Sequence, residues 1–118
     1  MNRFYFTMSR MKVLKFRDYL VPTVLSGEKD STWRLFDDKD LGVADDIELQ
    51  VFVTKEPFAK AKITRVIEKR FGDFSESDKQ GHESYSNDTE MYAEYSKYYR
   101  TSVGSNTIVK IIWFELNR

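Results

Sequence analysis

The sequence predicts a small α+β domain in which mostly antiparallel strands curl toward a barrel and carry two or three short helices. Three observations carry that prediction. From Asp46 to Thr54 the side chains alternate, with Ile47, Leu49, Val51 and Val53 on one face and Glu48, Gln50 and Phe52 on the other, the period of a half-buried strand. From Thr107 to Leu116 the run is apolar on both faces (Ile108, Val109, Ile111, Ile112, Trp113, Phe114), which places it inside a sheet rather than at its edge. From Asp88 to Tyr99 the apolar residues Met91, Tyr95 and Tyr98 recur at i, i+4 and i+7, the period of an amphipathic helix.

The elements follow in order. Residues 1–10 precede the first regular segment and are expected to form an N-terminal extension, with Met8 and Met11 as alternative starts. Met11 to Phe16 reads as the first strand. A short helix is expected from Tyr19 to Leu25, and Ser26-Gly27 ends it, since glycine tolerates the left-handed conformation that closes a last turn. Thr32 to Phe36 reads as a strand, so Thr32 and Arg34 share one face while Trp33 and Leu35 share the other. Asp37-Asp38-Lys39-Asp40-Leu41-Gly42 has turn chemistry; its acid spacing departs from a calcium loop, and a solvated turn is expected. Pro57 is expected to break the pattern before Phe58 to Lys69 resumes it, giving an antiparallel pair joined across Lys55-Glu56-Pro57. The polar stretch 71–87 is expected to hold a short helix around Glu76 to Gln80, with Ser75 as its N-cap. Asp88, with Thr89 and Glu90, is expected to cap the long helix and place negative charge at its positive end.

Composition narrows the function classes. At 118 residues the chain supports one core and is read as a single domain. It has no cysteine and one histidine, His82, so disulfides and thiolate metal sites are excluded and no metal or cofactor is expected. No apolar run approaches the ~20 residues of a membrane span, and no signal peptide stands out, so a cytoplasmic location is expected. Formal net charge is zero, against the basic excess usual in nucleic-acid-binding domains. The charge is uneven, however: residues 1–35 hold seven Lys/Arg against three Asp/Glu, and residues 36–50 hold six Asp/Glu against Lys39. Oligomeric state has no signal in the sequence.

The segment Gly27-Glu28-Lys29-Asp30-Ser31-Thr32-Trp33-Arg34 gathers an ammonium, a hydroxyl and a guanidinium where a helix turns into a strand. The spacing G-x-K-x-x-T-x-R resembles the signature of ASCH domains (activating signal cointegrator homology), which belong to the PUA-like β-barrel superfamily. The resemblance extends over roughly residues 11–116. It includes Trp33-Arg34-Leu35-Phe36-Asp37-Asp38-Lys39, Leu41-Gly42-Val43-Ala44-Asp45, Gln80-Gly81-His82-Glu83, the Tyr-rich helix, and the closing Val109-Lys110-Ile111-Ile112-Trp113-Phe114-Glu115-Leu116. Family members usually carry Gly-Asp where this chain has Ala44-Asp45.

The resemblance implies a PUA-like β-barrel whose cleft, lined by the signature residues, binds RNA or a modified nucleoside. Lys29, Thr32, Arg34, Gln80 and His82 are the ligand-binding candidates. It also implies an alternative activity, because some small bacterial relatives are amidohydrolases that deacetylate N4-acetylcytidine with the signature Lys and Thr and a Glu from the helical insertion; a few members look like ribonucleases. The catalytic candidates are then Lys29, Thr32 and Glu83, because the position before Gly81, where the family carries Glu, is Gln80 here. A third alternative is a regulatory protein-interaction domain with a vestigial cleft.

Elementary chemistry weighs these roles. Thr32 becomes a nucleophile only when a neighbour takes its proton, and a lysine does that only when burial or a nearby cation lowers its pKa. Arg34 can lower it, or hold an anion through its planar fork, or be tied to Asp37 or Glu48. Lys29 in an exposed turn would simply be solvated, and Thr32 would simply suit a strand. Trp33 is expected in the core and Tyr95 packed, with Tyr92 or Tyr99 the rings available to a base. His82 is expected as a loop or capping residue.

Overall fold

Five strands, β1 (Lys12–Phe16), β2 (Ser31–Arg34), β3 (Asp46–Val51), β4 (Pro57–Arg70) and β5 (Ile108–Leu116), form one sheet in the order β1-β3-β4-β5-β2. They are seen in a computed structural model that describes residues 11–118; the expected N-terminal extension, 1–10, lies outside the described residues. Three neighbouring pairs are antiparallel, and β1 runs parallel to β3. The sheet is therefore mixed, and it curls as a half-barrel with helices α1 (Val21–Ser26) and α2 (Asp88–Tyr99). Single 3-10 turns lie at Asp18–Leu20, Phe71–Asp73 and Ser77–Lys79.

The curl has a local origin in β4. Leu49 and Gln50 of β3 face Ala59 and Pro57, which leaves Phe58 without an opposite residue. Ile63 and Arg65 face consecutive β5 residues, Phe114 and Trp113, which leaves Thr64 over. An extra residue bends a strand and increases its twist, so this 14-residue strand turns twice. The edge strand β1 is covered by side chains: Arg34 Nη2 donates to the carbonyl of Lys15 (3.1 Å) and Lys39 Nζ to that of Val13 (2.6 Å). Two cations thus occupy carbonyls that a further strand would otherwise pair with.

The two-faced β5 divides the interior. Ile112 and Phe114 join a cluster with Leu14, Phe16, Val24, Leu41, Ile47, Leu49, Ala61 and Ile63. Val109 and Ile111 join another with Trp33, Leu35, Phe71, Met91 and Val103, against which Tyr85, Tyr92, Tyr95 and Tyr99 pack.

Several expectations are corrected. Pro57 does not interrupt the hairpin; it is the first residue of β4, a position where its missing N–H is tolerated. β3 ends at Val51, and Lys55 turns the chain with φ 63°. β2 ends at Arg34, and Phe36, with φ 51°, lies exposed. Asn87, not Asp88, caps α2, its side-chain oxygen accepting from Glu90 N at 2.8 Å. The short helix expected around 76–80 is the 3-10 turn Ser77–Lys79, with Ser75 Oγ accepting from Asp78 N at 3.3 Å. Asp37 is not solvated. Its carboxylate accepts from Leu41 N (2.8 Å) and Lys39 N (3.1 Å) and pairs with Lys110, not with Arg34. Tyr98, expected on the packed stripe of α2, is 41% exposed.

Candidate functional site

The site begins at a helix end. Gly27 closes α1 with φ 91°, its N–H reaching Val24 O at 3.1 Å. Lys29 N then donates to Thr23 O at 2.9 Å, which folds the connection back over the helix and turns Lys29 inward. Its side chain is only 5% exposed. The ammonium donates to Ser31 O (2.8 Å) and to Glu83 Oε1 (2.6 Å), and lies 5.9 Å from the centre of the Phe16 ring. The solvated-turn reading of Lys29 is therefore wrong.

Glu83 arrives on a loop held at one point. The carbonyl of Gly81 accepts from both Asp30 N (3.0 Å) and Ser31 N (3.1 Å). Gly81 has φ 78°, and a Cβ there would lie 1.8 Å from Asp30 Oδ1. Glycine suits the position on both counts: the left-handed conformation strains other residues, and a Cβ would displace the Asp30 side chain. The docked loop lays His82 flat on Trp33, with ring centres 3.5 Å apart and planes within 8°. His82 Nδ1 lies 3.0 Å from Glu83 O and 3.3 Å from Glu83 Oε1, and Nε2 lies 3.3 Å from the hydroxyl of Tyr95. His82 is thus more than a loop residue; stacked on Trp33 and within 3.0 Å of the Glu83 carbonyl, it holds the loop that brings Glu83 beside Lys29.

On the adjoining strand, Arg34 Nε donates to Thr32 Oγ1 at 2.9 Å. The guanidinium also lies 5.3 Å from the Phe16 ring centre. Thr32 is buried and Arg34 is half-buried. Trp33, on the opposite face as alternation requires, is 3% exposed, and its Nε1 is a buried polar atom without a hydrogen-bond partner among the described residues.

Burial sets the charges. It pushes the Lys29 ammonium below its ordinary pKa, with Glu83 opposing the shift and Arg34 adding to it. Burial would raise the Glu83 carboxyl, but the His82 ring and the Lys29 ammonium beside it together reverse this and the net direction is down. Burial, helped by Lys29, holds the His82 pKa down at about 3, so the ring is neutral at physiological pH. Burial also raises the Tyr85 phenol to about 12. The site therefore holds an ion pair, a neutral imidazole and a hydroxyl bonded to a guanidinium.

A cleft of about 680 Å³ opens onto this group. Lys29, Thr32, Arg34, His82 and Glu83 all line it, whereas Gln80 does not; Gln80 is exposed and lines a neighbouring hollow of about 410 Å³. Tyr99 lines the cleft and Tyr92 does not; Tyr92 packs on Phe71 with ring centres 5.3 Å apart. Tyr95 packs as expected, 5.3 Å from Phe71 and edge-on to it. The sequence reading missed Arg17, Phe52, Tyr85, Tyr98 and Arg100 as cleft residues. Only the aromatic richness of the 85–99 region signalled any of them; Arg17 and Phe52 meet there because β1 and β3 are parallel neighbours. Among the described residues no group of His, Cys, Asp and Glu is arranged to hold a metal ion. No helix among them is long and apolar enough to cross a membrane.

No family model matches the sequence, and no curated protein matches it. Solved structures do. A protein of Enterococcus faecalis V583 from the DUF984 family is 19% identical with a TM-score of 0.76, over 92% of this chain and 81% of that one. An ASCH domain from Lactobacillus crispatus JV V101 is 12% identical with a TM-score of 0.66, over 89% and 79%. An ASCH mutant protein from Zymomonas mobilis is 12% identical with a TM-score of 0.60, over 90% and 70%. The chain has an ASCH-type fold.

Proposed function

We propose that the cleft binds a single modified nucleoside through the Lys29–Glu83 pair and the Thr32–Arg34 pair. The observation that carries this reading is the ion pair lining the cleft, 2.6 Å between Nζ of the buried Lys29 and Oε1 of the half-buried Glu83. An ammonium, a carboxylate and a hydroxyl side by side supply donors and acceptors to match the edge of a base. Tyr85, Tyr95 and Tyr99 on the wall supply faces for stacking, worth roughly 1–3 kcal/mol per base. The volume lies within the ~300–1,000 Å³ of small-molecule pockets, which suits one nucleoside better than a strand. Calorimetric titration with cytidine and N4-acetylcytidine tests the reading. Binding is expected, and Lys29→Met should weaken it at least tenfold, the loss of about 1.4 kcal/mol. A folded protein that binds neither, nor any of the other common nucleosides, overturns it.

The same pair favours a second reading, amide hydrolysis of an acylated base such as N4-acetylcytidine. Burial lowers the Lys29 pKa, which eases transfer of its proton to Glu83 Oε1, 2.6 Å away, and leaves an amine to take the Thr32 proton. Arg34, donating to Thr32 Oγ1, stabilises negative charge developing on that oxygen. Thr32 would attack the acetyl carbonyl, the C–N bond would break with a proton passed to the departing amine from the Lys29–Glu83 pair, and water would release acetate from the threonine ester. Glu83 takes the role the family gives to the residue at Gln80. Release of cytidine from N4-acetylcytidine, lost in Lys29→Met and Glu83→Gln but kept in Gln80→Ala, is the expected result; binding without turnover leaves the domain a binder.

A further inference from the structure

The charge of the cleft departs from the charge of the chain. Six cations (Lys15, Arg17, Lys29, Arg34, Lys97, Arg100) and two carboxylates (Glu83, Glu94) line it, an excess of four positive charges in a chain whose formal net charge is zero. Elsewhere cations are commonly matched: Lys12 with Asp45, Lys62 with Asp46, Lys69 with Asp78 and Lys110 with Asp37. Within the cleft only Lys29 has a carboxylate within 4.0 Å among the described residues, and residues 1–10 include no Asp or Glu.

Lys97 and Arg100 close the C-terminal turn of α2, where the helix dipole alone favours cations. Lys15 and Arg17 have no such reason to be there. Arg17 is the more telling. Its guanidinium lies 4.8 Å from the Tyr98 ring centre and 5.1 Å from that of Phe52, and it makes no side-chain hydrogen bond among the described residues. A guanidinium this close to two ring centres is attracted by their π-systems without spending its N–H donors on hydrogen bonds to them. Lys15, Lys97 and Arg100 likewise make no side-chain hydrogen bond there.

Resting on the nucleoside reading above, we infer that the ligand carries a phosphomonoester, held at the mouth by Arg17 with Lys15, Lys97 and Arg100, while its base reaches Lys29 and Glu83. The ligand class is then a 5′-mononucleotide. A guanidinium and nearby ammonium groups recognise the doubly charged phosphate through charge-assisted hydrogen bonds, and a cleft lined by one sign of charge focuses the field on it. A long strand needs several phosphate contacts along a track; these cations instead ring one cleft sized for one nucleotide.

The test is calorimetry with matched nucleoside and 5′-monophosphate pairs for the four common bases and for N4-acetylcytidine, ribose 5-phosphate, and 5′-hydroxyl oligonucleotides, at low salt and at about 0.3 M. For the preferred base the monophosphate should bind about tenfold or more tightly than the nucleoside at low salt, with the advantage shrinking at high salt. Arg17→Gln, at an exposed position, should remove most of that advantage, with the loss of monophosphate affinity several-fold larger than any loss of nucleoside affinity. Equal affinity of nucleoside and monophosphate overturns the phosphate site and leaves the nucleoside reading standing. Arg17-dependent binding of ribose 5-phosphate with no base preference supports the phosphate site and overturns the nucleoside reading. An oligonucleotide that outcompetes every mononucleotide overturns the monoester assignment, and silence from every probe overturns both.

Discussion

The two clusters on either side of β5 are built from different chemistry. The one containing Leu14, Ile47, Leu49, Ile63 and Ile112 consists of aliphatic chains and the phenylalanines Phe16, Phe58 and Phe114, with no polar side-chain atom in it. The one containing Trp33, Phe71 and Met91 is mostly aromatic. It adjoins a buried imidazole, several phenol hydroxyls and an unpartnered indole N–H. The contrast teaches that the aliphatic half, apart from Phe16 under Lys29 and Arg34, serves the sheet, while the aromatic half carries the polar groups that border His82 and Glu83.

The largest effect that separates the halves should come from Leu49→Ala. Leu49 is fully buried in the aliphatic cluster and does not line the cleft, so the loss should be about 2–5 kcal/mol of unfolding free energy. Ligand affinity of the folded fraction should be unchanged. Denaturant unfolding beside titration checks both, and a matching loss of affinity would mean the halves are not separable.

The next effect depends on pH. The His82 pKa is about 3 in the folded protein against an ordinary 6.5, so below pH 6.5 the unfolded chain takes up a proton that the folded one refuses. Stability from this group is complete above pH 6.5 and falls as pH drops toward 3, by at most about 1.4 kcal/mol per pH unit. The carboxyls with lowered pKa, Glu83 among them, start from 4.5 or below, so between pH 6.5 and 4.5 the slope belongs mainly to the imidazole. His82→Gln should flatten the unfolding free energy in that window. An unchanged slope would remove the neutral imidazole from this account.

How much of this was legible follows from sequence distance. The β3–β4 hairpin and the two-faced β5 were readable because alternation is local. Gly27 was readable as a helix stop for the same reason. The parallel pairing of β1 with β3 was not, since nothing in either strand names its neighbour, and with it went the meeting of Arg17 and Phe52. Lys29 was readable as a candidate through the spacing to Thr32 and Arg34. Its burial was not, because that depends on Glu83, 54 residues away. Asp37 was misread as solvated for a similar reason: its partner Lys110 is 73 residues distant. Gln80 was misplaced because adjacency to Gly81 does not say which way a side chain leaves a docked loop.

A smaller effect falls on that loop. Gly81→Ala forces a Cβ onto Asp30 and a left-handed conformation onto alanine, costing about 1–3 kcal/mol. The Asp30 side chain can swing aside, so the fold should survive. The expected signature is a loss of ligand affinity out of proportion to the loss of stability, because the loop carries both His82 and Glu83. Affinity that survives intact would show that the Gly81 anchor does not position the pair.

The smallest effect has the opposite sign and lies in the other half. Ala44 adopts φ 75° in the turn before β3, at the position where the resembling family usually carries glycine. Its N–H is committed to Ile63 O at 2.8 Å, so the turn cannot relax without losing a backbone bond. Left-handed backbone costs an alanine about 1–2 kcal/mol, and glycine returns roughly 0.5–1 kcal/mol of that through its more flexible unfolded chain. Ala44→Gly should therefore stabilise the protein by up to about 1.5 kcal/mol, seen as a higher denaturation midpoint, and leave affinity untouched because residue 44 does not line the cleft. Gly81 and Ala44 then form a matched pair of left-handed positions. One holds the loop that carries half of the ion pair, so adding a methyl there should harm binding first. The other only turns the chain between strands, so removing a methyl should raise stability alone, and an Ala44→Gly variant with altered affinity would break the division between the halves from its quiet side.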